Sequence, residues 1–414
     1  MNYKSQSIIT GFQGLGIAPK FLEILDKLNF KQPTPIQHQA IPIAIEGKDI
    51  VGIAQTGTGK TLAFGLPMIQ RLGVYSGQGL ILLPTRELAL QADEMLQKIG
   101  KNIGLKTAVL IGGSSLYLQF QSLNRNPDII IGTPGRTIDH LKRGTLKLNN
   151  VKIIVIDEAD RMFDIGFAPQ INDILKMSPK NRQTMLFSAT ISSDVMRLAT
   201  THLSIPLRIE VAPSGTAPTK LEQEIFIIHK DKKNQLLEKM LIDYKGTILV
   251  FVRTKHGAKK ITTLVRQMGQ TAAEIHSNRS LAQRKEALGG FKSGKYRVLI
   301  ATDIAARGLD VIGIELVINY DLPDNFDDYV HRIGRTGRAG YAGRAISFVT
   351  PEQRGDIRNI ERLVHKNLPI RSLPTLPPRR KIPSLNLFVS SKNHHQANAN
   401  FYLKRKKNYK KSYK

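Results

Sequence analysis

The sequence predicts an α/β protein of two tandem domains with parallel sheets, followed by a disordered basic C-terminal tail. Three observations predict it. Short β-branched runs alternate with longer amphipathic stretches along most of the chain, a proline- and glycine-bearing segment breaks that rhythm near the middle, and acidic residues vanish from Arg371 onward. Strand, crossover helix, strand at this spacing gives right-handed βαβ units and parallel pairing. At 414 residues the chain is too long for one compact core.

The first half carries "DIVGI" at 49–53, "GLILL" at 79–83, "TAVLI" at 107–111, "DIII" at 128–131, "KIIVI" at 152–156 and "TMLF" at 184–187. Between them lie helical patterns such as "RELALQADEMLQKIG" at 86–100. The segment 211–220, "VAPSGTAPTK", reads as a linker. Beyond it come "EIFIIH" at 224–229, "TILVFV" at 247–252, "AEIH" at 273–276, "RVLIAT" at 297–302, "ELVINY" at 315–320 and "AISFV" at 345–349. The domains are therefore expected at 1–211 and 221–370, with 212–220 between them and the tail at 371–414.

Charge narrows the partner class. Lys and Arg number 61 against 33 Asp and Glu, a net charge of +28, which points to a polyanion. The tail holds 12 Lys or Arg and no acid, with Tyr402, Tyr409 and Tyr413 among the lysines, a composition suited to phosphate attraction and base stacking. No run approaches a membrane span, the N-terminus lacks a signal-peptide core, and there is no cysteine. Disulfides, thiolate zinc sites and cysteine nucleophiles are excluded, and a cytoplasmic nucleic-acid-binding protein is expected.

The chemistry begins at "AQTGTGKT", residues 54–61, placed between a strand and a helix. Ala54, Gln55, Thr56, Gly57, Thr58 and Gly59 form a loop whose amides can face phosphate oxygens at a helix N-terminus. Lys60 can reach the β- and γ-phosphates, and the Thr61 hydroxyl can ligate Mg²⁺. The generic pattern has Gly where this chain has Ala54. A second apolar strand, "VKIIVI", runs into Asp157, Glu158, Ala159 and Asp160, 97 residues after Lys60. Open α/β sheets place ligands at such strand ends. Asp157 suits the metal and Glu158 suits orienting and deprotonating the attacking water. The site calls for an NTP and Mg²⁺.

Taken in order, these stretches resemble the DEAD-box ATP-dependent RNA helicases of superfamily 2, which implies two RecA-like domains. "NFKQPTPIQ", 29–37, with Phe12 upstream, resembles the family's Q motif; there Gln37 would bond the adenine edge and Phe30 would pack on the base, which specifies ATP. "PTRELA" at 84–89, "GG" at 112–113 and "TPGR" at 133–136 resemble its RNA-contacting motifs, which assigns backbone contacts to Pro84, Thr85, Arg86, Gly113, Thr133, Pro134, Gly135 and Arg136. "SAT", with Ser188 and Thr190, resembles the motif that couples ATP state to RNA grip through Asp160.

In the second half, "ATDIAARGLD" and "HRIGRTGR" imply Thr302 on RNA, Gly308 and Asp310 at the nucleotide, His331 bridging to the DEAD loop, and Arg335 and Arg338 as arginine fingers. "IHSNRSLAQR", 275–284, departs from the family at Ser277 and Leu281, so only Arg284 is carried over as an RNA contact. "YVHRIGRTGRAGYAG" and the short tail resemble the bacterial RhlE-type branch. The resemblance implies a monomer acting on RNA without sequence preference and without a membrane, with ribosomal or RNA-decay proteins as further partners. An ATP-gated RNA clamp or annealing chaperone and a DNA-directed helicase are the alternative readings.

Overall fold

The computed structural model describes residues 11–55, 57–211, 221–306, 311, 313–337 and 342–379. Seven strands form the first sheet: β1 (Ile50–Ile53), β2 (Gln78–Leu82), β3 (Thr107–Leu110), β4 (Ile129–Gly132), β5 (Val151–Ile156), β6 (Gln183–Ser188) and β7 (Leu207–Glu210). Seven more form the second: β8 (Leu221–Ile227), β9 (Ile248–Phe251), β10 (Ala272–Ile275), β11 (Val298–Ala301), β12 (Leu316–Asn319), β13 (Gly343–Val349) and β14 (Ile370–Arg371). The spatial orders are β3-β4-β2-β5-β6-β1-β7 and β10-β11-β9-β12-β13-β8-β14, with parallel pairing throughout. Renumbered from its own first strand, the second sheet repeats the first order strand for strand. One topology is used twice.

Apolar residues form these strands because both faces are covered by helices. On β5, Ile153 and Val155 join one core while Ile154 and Ile156 join the other, and only Lys152 is exposed. The second sheet divides likewise, with Leu249 and Phe251 on one side and Ile248 and Val250 on the other. Gly52 in β1 is required by packing, since a Cβ there would lie 2.6 Å from the Phe187 ring.

Two short strands escaped the sequence pattern. In "LRIE", β7, only Ile209 is buried, too weak an alternation to read, yet it pairs with β1 along its whole length. β14 pairs with β8, Arg371 contacts Glu224, Leu376 packs on the core that holds Ile248 and Val250, and Gln235 donates to the Pro377 carbonyl. The expected tail boundary at 371 thus cuts a strand, and residues through Pro377 group with the sheets as one unit. The expected linker at 212–220 and the tail from 380 lie outside the described residues.

Candidate nucleotide and nucleic-acid site

Sheet order assembles the site. β5, β6 and β1 are neighbours, so their C-terminal ends, with Asp157 after β5, Ser188 closing β6 and Ala54 after β1, meet at one edge. β3, β4 and β2 are also neighbours, and their loops carry Gly113, Thr133–Arg136 and Thr85–Arg86. A single sheet edge therefore offers two adjacent stations.

At the first station Gly57 and Gly59 have φ of +85° and +89°, the left-handed region where glycine carries no steric cost. A Cβ on Gly59 would come within 2.3 Å of the Gln37 amide. Gln37, 3% exposed, accepts from the Thr34 N–H (2.9 Å) and donates to the Gly59 carbonyl (3.0 Å). A primary amide has two N–H groups and two lone pairs, so one of each remains for an adenine edge. Phe30, which the resemblance puts on the base, packs against the core that holds Ile153 and Val155, and Phe12 is buried within that core. Thr58 Oγ1 closes the loop on the Gln55 carbonyl at 2.7 Å. Lys60 opens the helix Lys60–Leu72; its Nζ donates to the Ala54 carbonyl (3.1 Å) and lies 3.4 Å from Asp157 Oδ1. Burial pushes the Asp157 carboxyl above the usual carboxylate range, opposed by the Lys60 ammonium and reinforced by the Glu158 charge.

Glu158 stands in the left-handed region, φ 56° and ψ 50°, an uncommon conformation for a non-glycine residue and one that recurs at functional sites. Its Oε2 accepts from Arg161 Nη1 at 2.5 Å, with both side chains buried. Arg161 also places Nη2 3.3 Å from His331 Nδ1 of the second half. Since arginine can only donate, that His331 nitrogen accepts. Asp160 accepts from the Ala189 and Thr190 N–H groups (3.1 and 2.9 Å) and the Thr190 hydroxyl (3.1 Å), while its own N–H donates to Ser188 Oγ. The second half supplies the helix Asp327–Ile333, anchored by Arg332, which is buried and donates to Asp303 Oδ2 at 2.7 Å. Arg335 follows it, buried, with Nε donating to the His331 carbonyl. Thr56, Gly308, Asp310 and Arg338 lie outside the described residues.

The second station is a cleft of about 390 Å³. Pro84, Thr85, Arg86, Thr133, Gly135, Arg136 and Arg284, which the resemblance assigns to RNA, line it together with Glu87, Gly112, Asp139, Ile165, Phe167 and Ser277. Gly113, Pro134 and Thr302 are not among the lining residues. Gly113 has φ +75° and a Cβ there would strike Arg86 Nη1, so glycine is what lets the guanidinium cross the loop. Arg136 Nη1 donates to the Ser114 carbonyl. Arg284 also makes a contact that the sequence did not announce. Its Nη2 donates to Glu87 Oε2 at 2.9 Å across the two halves, both groups buried, and Leu281 of the same helix packs on the first core. Arg161 and Glu87 were missed, although Arg161 stands three residues after Glu158, the spacing of a helical pair.

Comparison with known proteins matches residues 34–198 to the DEAD/DEAH box helicase family and residues 231–340 to the helicase conserved C-terminal domain. This chain belongs to the DEAD-box helicases. The helicase is 42% identical over 371 residues to the DEAD-box ATP-dependent RNA helicase CshA of Bacillus cereus, covering 89% of this chain and 71% of the relative. It is 39% identical to CshA of Bacillus subtilis over 88% and 74% of the two chains. Among solved structures it resembles S. cerevisiae Dbp5 bound to RNA and ADP BeF3, with TM-score 0.79, 30% identity, and 88% and 96% of the chains covered. A DEAD box protein from Methanococcus jannaschii is 36% identical over 88% of this chain and 99% of that one, with TM-score 0.52. The activity of this chain is ATP-dependent RNA helicase: it hydrolyses ATP and acts on RNA. The relatives are CshA-type and give no particular support to the RhlE-type branch.

Proposed function

We propose that ATP is held by the first half and hydrolysed only when RNA, lying across both halves, keeps the second half against it. The observation that carries this is the Glu158–Arg161–His331 chain, which ties the Glu158 carboxylate to the helix Asp327–Ile333, just ahead of the candidate finger Arg335. Lys60 would bind the β- and γ-phosphates, Gln37 the adenine edge, and Glu158 the attacking water. Arg335 and Arg338 would supply positive charge where it develops in the transition state.

The residues fit Mg²⁺. No cluster of three or more metal-ligating side chains exists among the described residues, and Mg²⁺ in nucleotide sites is bound by one or two carboxylates plus substrate phosphates. Asp157, buried and facing Lys60, and Thr61, beside it in the first helical turn, would hold it, and the ion would neutralise phosphate charge. Contacts in the cleft come from Arg side chains, Thr hydroxyls and glycine loops, which read a sugar–phosphate backbone rather than bases. Asp160 with Ser188 and Thr190 would couple the two stations. The test is ATP turnover with single-stranded RNA and with matched DNA at one salt concentration. Strong stimulation by RNA alone is expected; equal stimulation by DNA would overturn the reading.

A further inference from the structure

The helix Arg354–Val364 carries a basic strip that neither station uses. Ile357, Ile360 and Val364 bury one face on the core that holds Leu249 and Phe251, which turns Arg354, Arg358 and Arg362 outward at four-residue intervals, about 6 Å apart along the axis. Lys366 continues the strip just past His365, whose left-handed φ of 50° ends the helix. None of these four cations forms an ion pair with a described carboxylate. A cavity of about 420 Å³ lies among Arg358, Glu361, Arg362, His365, Lys366 and Asn367. Its one carboxylate, Glu361, already accepts from the Leu368 N–H at 2.9 Å.

The helix dipole favours cations at the C-terminal end, which accounts for Arg362 and Lys366. It disfavours Arg354, which stands in the first turn, so the strip needs another reason. An anionic lipid surface fits poorly, because an interfacial helix needs a free apolar face and this one is spent on the core.

We propose that this strip is a second RNA-binding surface, which grips phosphates of RNA extending beyond the cleft. It rests on the cleft being the primary RNA site. Four neutralised phosphates would each contribute about 0.7 to the slope of log affinity against log salt. The experiment uses the full chain carrying R354Q, R358Q, R362Q and K366Q together. RNA affinity is measured at several salt concentrations for a short single strand and for the same strand extended by a hairpin. The extended RNA is expected to lose about 3 from its salt slope, while affinity for the short strand and turnover at saturating short strand stay unchanged. R354K/R358K/R362K is expected to keep the parent slope, which separates lost charge from lost folding. An unchanged slope for the extended RNA overturns the proposal, as does equal weakening of the short strand. Lost binding to phosphatidylserine vesicles with an unchanged RNA slope overturns it in favour of a membrane surface. Failure of the short strand to stimulate the parent protein would instead count against the cleft.

Discussion

Glu158 is held in place by three separate constraints: a left-handed backbone, a buried ion pair and a neighbour that reaches the second half. At 1% exposure its charge is tolerated because Arg161 faces it at 2.5 Å. Two substitutions should divide chemistry from coupling. Glu158→Gln is expected to nearly abolish turnover while ATP-dependent RNA binding persists, because the contacts of Lys60 and Asp157 remain. Arg161→Lys keeps the positive charge but cannot span Glu158 and His331 together. It is expected to lower RNA-stimulated turnover by about 10²-fold, the scale of a misplacement of roughly 1 Å, with the KM for ATP little changed. Steady-state kinetics of both variants with and without RNA checks this. Normal turnover in Glu158→Gln would remove the DEAD loop from catalysis.

Between elements, the helices Arg86–Gly100 and Leu281–Lys292 form a contact that families of motifs do not announce. Glu87 and Arg284 pair across the halves, and Glu87 Oε1 and Arg284 Nε are left without hydrogen-bond partners. Burial also draws the Arg284 guanidinium down from its ordinary value, against the pull of Glu87. Leu281 adds an apolar contact where the family pattern has a polar residue. Removing one partner should leave the other buried and uncompensated whenever the halves meet. Glu87→Leu and Arg284→Met are each expected to raise the RNA concentration for half-maximal stimulation about tenfold. The double variant should be less impaired than their product, with a coupling of about 0.5–3 kcal/mol. A double-mutant cycle measures it. Additive effects would return Arg284 to a simple RNA contact.

Across the whole molecule, one sheet topology is used twice, so each half presents loops from two adjacent groups of strands along one edge. The folded body of the second half extends to Pro377 rather than to 370, which alters the truncation worth making. Deleting 380–414 removes ten Lys or Arg and no catalytic residue, so it is expected to leave melting temperature and saturating turnover nearly unchanged while flattening the salt dependence of RNA affinity. Deleting 371–414 also removes Arg371 of β14 and the packing of Leu376, and is expected to cost about 2 kcal/mol of stability. Urea unfolding of the two truncations, with affinity measured across salt, checks both statements. Equal stability of the two would put the end of the folded body back at 370.

The sequence by itself determined the strand and helix rhythm, the phosphate loop and the acidic strand end. Each is written in consecutive residues: the glycines at 57 and 59 fix a turn, and the apolar run 151–156 fixes a strand buried on both faces. β7 and β14 were not legible because four and two residues on sheet edges bury too little to leave a pattern. The distances between motifs were decided only by tertiary structure. Lys60 and Asp157, 97 residues apart, meet at 3.4 Å because β5, β6 and β1 are neighbours in the sheet. Arg161 with His331, and Glu87 with Arg284, meet only because two separately patterned halves pack together. A local pattern can show that a side chain will be buried; which charge it will face depends on the chain's return from far away, and that is set by topology.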